Sequence, residues 1–234
     1  MSVLRELRQH IERFLSPLLG SPRFRYGGSY GKQTIIRERY DLDLVAYWPR
    51  SSEYTISGIY NEVGVQLKKA FQEVNSKTVA WEIPFENGFH IDVVPGRAID
   101  DRFFETNLYR TDTGTTLKTS LKTHIDTVKD SGRRDVVRMM KLWRERRQVP
   151  FKKSFLLELL TIEGCSGLSY TDLEIQLIGA LRHITEKIET SNVLDPANSN
   201  NSLSDDISST EKKQIRIEAQ TALDMASWSH VFEC

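Results

Sequence analysis

An α+β fold whose C-terminal half is helical is what this 234-residue sequence predicts. Three observations predict it. Short strand-like apolar runs fall at 41–48, 78–83 and 89–94, the first carrying Asp41 and Asp43 at alternate positions and the last Asp92. Between the first two lies a segment with helical periodicity, its apolar face made by Ile59, Val63, Leu67, Ala70 and Val74. From residue 117 onward the periodicity is helical. The chain therefore divides into an α+β part, residues 1–115, and a helical part, residues 116–234.

Each element has a local justification. Leu4, Leu7, Ile11, Phe14 and Leu18 recur at helical spacing, and Pro17 with Gly20 closes that first helix. Residues 27–34 carry three glycines in a short polar stretch and read as a turn. Thr171 with Glu174 has the spacing of a capping box ahead of Leu173, Leu177, Ala180, Leu181, Ile184 and Ile188. Ser208 with Glu211 has the same spacing ahead of Ile215, Ala219, Ala222 and Ala226. The Ser-, Asn- and Asp-rich stretch 190–207 is predicted as a loop.

Composition removes several classes. Lys plus Arg equals Asp plus Glu at 32 each, so no global charge draws the chain to a polynucleotide or an anionic membrane. The two cysteines, Cys165 and Cys234, are too far apart to suggest a disulfide framework, and a reducing compartment follows. No stretch approaches the roughly 18 apolar residues of a membrane span, and the N-terminus lacks the apolar run of a signal peptide. The expected location is cytoplasmic.

The chemistry resides in three segments. Gly28-Ser29-Tyr30-Gly31-Lys32-Gln33-Thr34 is followed by Tyr40-Asp41-Leu42-Asp43-Leu44-Val45, and later by His90-Ile91-Asp92-Val93-Val94 ahead of Pro95-Gly96. Successive side chains of a strand point to opposite faces, so Asp41 and Asp43 project together while Leu42 and Leu44 face a core. Asp92 sits in a second apolar strand and joins them if the two strands are neighbours. Carboxylates placed among Leu, Val and Ile are costly without a purpose. Three that converge repel one another unless a multivalent cation neutralises them, and hard oxygen donors select Mg2+, with Mn2+ as the substitute. Small Gly28 and Ser29 let backbone N–H groups approach phosphate oxygens, with Lys32 and Thr34 close by. A metal-dependent transfer of a nucleotidyl group is the predicted activity.

These segments resemble the DNA polymerase β-like nucleotidyltransferases, in the branch of oligoadenylate synthetases, cyclic GMP-AMP synthase and the bacterial cyclic-oligonucleotide synthases of antiphage defence. Asp135 to Arg144 and Lys153 to Leu160 resemble the helical half of that branch, and Leu194-Asp195-Pro196-Ala197-Asn198 resembles its Asp-Pro loop. The resemblance implies a polymerase β-like core, a mixed sheet with flanking helices, followed by a helical nucleotide- and acceptor-binding region. It implies nucleoside triphosphate substrates such as ATP, with Asp41, Asp43 and Asp92 as metal ligands and catalytic acids. Gly28, Ser29 and Lys32 would bind the phosphates from one side, and Lys141 and Ser154 from the helical side. The sequence departs from the branch where Gln33-Thr34 stands in place of the frequent Gly-Thr, and in its short length. Cyclisation of the product is thereby left open.

Two further readings accompany these. Val136, Met140 and Trp143 share one helix side and Arg134, Arg138 and Lys141 another, so a local positive surface is expected there. His90 reads as hydrogen-bonded into its strand, and Tyr30, Tyr47 and Trp48 as core. The acceptor would be another nucleotide, giving a cyclic or linear oligonucleotide signal. The alternative acceptor is an RNA 3' end or a protein hydroxyl, and a non-catalytic binding module is the third class.

Overall fold

The computed structural model describes residues 2–18, 20–39 and 41–233, and the side chains of 2–4 and 87 are not described. Leu4, Tyr40 and Cys234, used above, therefore fall outside the described side chains or residues. The chain forms two compact units, residues 1–32 with 40–125 and residues 33–39 with 126–234.

The first unit opens with α1 (Ser2–Leu15), β1 (Arg23–Tyr26) and the short helix α2 (Gly28–Lys32). It continues through β2 (Leu42–Trp48), α3 (Ile56–Ala70), β3 (Asn75–Ser76), β4 (Trp81–Pro84) and β5 (His90–Ala98). β6 (Thr106–Tyr109) and β7 (Thr116–Thr119) complete a seven-stranded mixed sheet among the described residues. Its central pair, β2 and β5, is parallel, and the other pairings are antiparallel. β5 changes partner along its length: residues 90–93 pair with β4 and residues 96–98 with β6. Pro95 stands at the change-over, where β5 is expected to end but instead continues to Ala98.

Alternation in β2 decides what the sheet buries. Leu42, Leu44, Ala46 and Trp48 pack with Ile91 and Val93 of β5, Ile83 of β4 and the α3 face of Ile59, Val63 and Leu67. That helix begins at Thr55, whose side chain accepts the Gly58 N–H, and ends at Ala70. Val74, expected on the same face, lies beyond it. Gly64 is required by packing, since a Cβ there would collide with the Trp81 indole. On the other sheet face Val45 and Tyr47 pack with Ala98, Phe103, Leu108 and Leu121. Tyr47 and Trp48 are core residues.

The second unit is helical: α4 (Leu121–Asp130) leads into it, followed by α5 (Arg134–Arg146), α6 (Ser154–Gly164) and α7 (Leu173–Lys187). A hairpin of β8 (Leu194–Asp195) and β9 (Asn198–Ser202) precedes α8 (Ser209–Asp224) and α9 (Trp228–Phe232). Val136, Met140, Trp143, Leu156, Leu160, Leu177, Leu181, Ile184 and Ile215 form its core.

Local expectations are corrected in three places. β7 shows that the sheet extends past residue 116 before the helices begin. The segment 190–207 is a hairpin and a short 3-10 helix rather than a loop: Asp195 Oδ1 accepts the Ala197 N–H at 2.8 Å, an Asx turn that closes the strands. The N-cap of α7 is Asp172, accepting from Ile175 N, and not Thr171. The Ser208–Glu211 capping box is present in full.

Candidate active site

Parallel pairing of β2 with β5 places Asp43 and Asp92 as Cα partners on adjacent strands. In-register parallel neighbours direct their side chains to the same sheet face, so the two carboxylates stand side by side. Asp41 lies one residue before β2, and its Oδ1 is 3.2 Å from Nδ1 of His90 at the start of β5. The other ring nitrogen of His90 is 3.9 Å from Asp92 Oδ2. The imidazole thus lies within hydrogen-bond distance of Asp41 and beside Asp92, which places it in the acidic cluster.

The Gly-Ser segment is joined to this pair by backbone and by shape. The Gly27 N–H donates to the Asp43 carbonyl at 2.8 Å, and the chain then turns into α2, with Gly31 N donating to Gly27 O. Gly28 has φ +47°, in the left-handed region, and a Cβ there would collide with Asp43 Oδ2. Only glycine admits both the backbone angle and the carboxylate against it. Ser29 follows in α2, and Lys32 ends it as a buried lysine whose charge acts on Asp43.

Electrostatics follow from burial. Desolvation, then the charge of Asp92, then that of Asp41, push the Asp43 carboxyl up to about 6 against the pull of Lys32 and Lys77. Burial also raises the Asp92 carboxyl, opposed by a hydrogen bond from Lys77. Lys77 Nζ lies 3.0 and 2.8 Å from the two Asp92 oxygens and 3.0 Å from Glu82 Oε2. Ligand atoms of Glu82, His90 and Asp92 all fall within 4.8 Å of one another.

This donor set fits a divalent cation. Among its members Asp43 has its proton affinity raised by burial and by the charges of Asp92 and Asp41, the condition a hard cation relieves. Asp41, Asp43 and Asp92 would hold it. Lys77 and Glu82 are absent from the sequence reading above. Glu82 had the same signature as Asp92, an acid between the apolar Trp81 and Ile83 of a strand, but Lys77 reaches the site from a hairpin turn that no spacing announces.

In the helical unit the predicted positive side of α5 is only partly a surface. Lys141 and Arg144 are buried with Val136, Met140 and Trp143, which corrects the expected separation of faces. Lys141 Nζ donates to Thr34 O at 3.1 Å and pairs with Glu158 Oε1 at 3.3 Å, and Thr34 Oγ1 donates to the same Glu158. Arg134 bonds the Gln33 side chain, Arg138 donates to Gln33 O at 2.6 Å and Arg146 to Glu38 at 2.9 Å. Basic residues of α5 therefore fasten the segment 33–39. Ser154, the first residue of α6, accepts from Arg144 Nη1 at 2.8 Å.

No family model matches the chain. It is 28% identical over 176 residues to a cyclic AMP-AMP-AMP synthase of Escherichia coli (strain MS 115-1), an alignment covering 67% of this chain and 54% of that protein. The chain thus spans about half the length of the curated relative it matches. Among solved structures, E. coli MS115-1 CdnC with ATP superposes with a TM-score of 0.75 at 21% identity, covering 100% of this chain and 90% of that one. Apo DncV of Vibrio cholerae gives 0.73 at 21% identity, covering 90% of this chain and 66% of that one. The cyclic dinucleotide synthase CdnE of Elizabethkingia meningoseptica gives 0.70 at 14%, covering 94% and 92%. The resemblance to the bacterial cyclic-oligonucleotide synthases therefore holds twice over, in the sequence of one relative and in the fold of several.

Proposed function

We propose that this protein is a metal-dependent nucleotidyltransferase that joins nucleoside triphosphates into a short cyclic or linear oligonucleotide, a signal of the kind the resemblance associates with antiphage defence. The observation that supports it most directly is the in-register Asp43–Asp92 pair seated against Gly28. A carboxylate pair raised chiefly by burial, beside a glycine turn small enough for phosphate, serves phosphoryl chemistry better than structure.

In this reading Asp41 and Asp43 bind Mg2+ carrying the triphosphate, and Asp92 completes the second metal position. When bound, the cations supply charge to the attacking and leaving oxygens of an in-line displacement. The incoming hydroxyl oxygen forms a bond to the α-phosphorus, the bond to the β-phosphate oxygen breaks, and pyrophosphate leaves with the electron pair. Asp92, made more basic by its burial, orients the hydroxyl and takes its proton. Gly28 and Ser29 bind the phosphates through backbone N–H groups and a hydroxyl, with Lys32 adding charge. Lys141 and Ser154 are the candidate phosphate contacts of the helical unit. Lys141 reaches a phosphate only by exchanging its bonds to Thr34 and Glu158.

The test is incubation of the purified protein with each labelled nucleoside triphosphate and Mg2+ or Mn2+, resolved chromatographically, with the Asp41→Asn/Asp43→Asn double variant as blank. ATP comes first because the E. coli relative is named for an all-adenine product. Phosphatase-resistant small products absent from the blank support the proposal. Label transferred to co-purified RNA or protein instead would replace the nucleotide acceptor by a macromolecule.

A further inference from the structure

Lys77 raises a question the proposed function leaves open, because an ammonium already holds the carboxylate that a cation needs. Its Nζ takes both oxygens of Asp92, at 3.0 and 2.8 Å, and Glu82 Oε2 at 3.0 Å. A cation that takes an Asp92 oxygen is repelled by the ammonium on the same carboxylate, which favours opening at least one of these bonds. The backbone of Lys77 is fixed: its N–H donates to Ala80 O at 2.9 Å, and its carbonyl accepts from Tyr60 Oη at 2.9 Å and from Thr111 Oγ1 at 3.2 Å. The side chain is not fixed in that way, being 40% exposed and carried on the turn between β3 and β4. A rigid anchor with a long, partly solvated arm allows the charge to move while the sheet stays in place.

Glu82 supplies the place to move to. It is the Cα partner of Asp92 across β4 and β5, so the ammonium spans two carboxylates on adjacent strands. Lys77 already pairs with Glu82 Oε2 at 3.0 Å, so a second carboxylate keeps the lysine when Asp92 is withdrawn. Asp43 is the Cα partner of Asp92 on the opposite side, which places Asp92 between the acid expected to take metal and the acid that retains lysine.

We propose that Lys77 is a tethered counter-ion: it neutralises Asp92 in the metal-free protein, competes with the divalent cation for that carboxylate, and withdraws onto Glu82 when the cation binds. The inference rests on the reading of Asp41, Asp43 and Asp92 as metal ligands. Its consequence is a raised threshold, so that the acidic cluster tolerates its own charge without metal and fills only when cation is abundant or brought in with triphosphate.

The experiment is a titration of the 234-residue chain with Mn2+, free ion followed by electron paramagnetic resonance, without nucleotide. Lys77→Met is expected to bind Mn2+ about tenfold more tightly than wild type, the scale of one charge-assisted hydrogen bond lost from the competitor. Lys77→Arg, which keeps the charge, stays close to wild type. In an Asp92→Asn background the gain from Lys77→Met disappears, because no contested carboxylate remains. A gain that persists there shows a diffuse field of the lysine and overturns the inference. Equal affinities of wild type and Lys77→Met overturn it while leaving the metal reading intact. Absence of Mn2+ binding in both proteins, with folding verified by circular dichroism, overturns the inference, and if neither protein then forms a nucleotide product with Mn2+ the metal reading falls with it.

Discussion

At Asp43 a single carboxylate carries two opposed consequences, for chemistry and for stability. Its folded value of about 6 stands above the ordinary 3.8, so the folded chain binds a proton that the unfolded chain releases between those limits. The cost of the buried charge is fully present above about pH 6 and is relieved as pH falls toward 4. In the metal-free protein Asp43→Asn is therefore expected to raise stability by roughly 2 kcal/mol at pH 8, with the gain vanishing near pH 4. Paired urea melts across that range in EDTA check it. The same variant should lose activity by about 10³-fold or more, since no neutral amide replaces a metal-binding carboxylate. Gly28 makes the complementary prediction. Gly28→Ala forces a Cβ onto the Asp43 carboxylate at a left-handed φ, and it should destabilise the fold by about 2 kcal/mol while weakening activity. A variant as stable as wild type by thermal melt would show that the turn does not need glycine.

Among the elements, α5 shows how one helix serves two purposes that its sequence pattern does not separate. Charge at 134, 138 and 141 reads as a solvent-facing stripe, yet Lys141 has 2% side-chain exposure and Glu158 has none. Removing Lys141 takes away the ammonium that neutralises the buried Glu158 carboxylate, so Lys141→Met should cost roughly 3–5 kcal/mol, whereas Lys141→Met with Glu158→Leu should recover most of that loss. Chemical denaturation of the two variants decides it. The double variant also separates the roles of Lys141: with the fold recovered, a higher KM for ATP supports the proposed phosphate contact, and an unchanged KM assigns the lysine to the clasp on residues 33–39 alone. Gln33, held there with φ +62° by Arg134 and Arg138, occupies a conformation that glycine adopts more cheaply.

For the molecule as a whole, the two compact units offer separate reporters. Cys165 is wholly buried in the helical unit, and burial pushes its thiol up to about 11. At pH 8 its alkylation by iodoacetamide should be at least about 100-fold slower than that of a free thiol and should become fast only when the helical unit opens in urea. Peptide mass spectrometry distinguishes it from Cys234. Much of this organisation was legible in the sequence, because period-two and period-3.6 patterns report directly which side of an element is buried. Asp41, Asp43 and Asp92 stood out for the same reason, as charges at positions where an apolar strand makes charge expensive. The change of partner along β5 and the burial of Lys141 were not legible, since each depends on a neighbour distant in the chain, and the hairpin at 194–202 was not because its Ser- and Asn-rich strand carries no apolar alternation. Lys77 is the clearest instance: nothing near it in sequence marks a lysine that ends on Asp92. Local pattern thus determined the longer helices, the central strands and the acids they carry, whereas pairing register decided which acids meet and which cation holds them, because electrostatic partners are set by distance in space and the sequence records only distance along the chain.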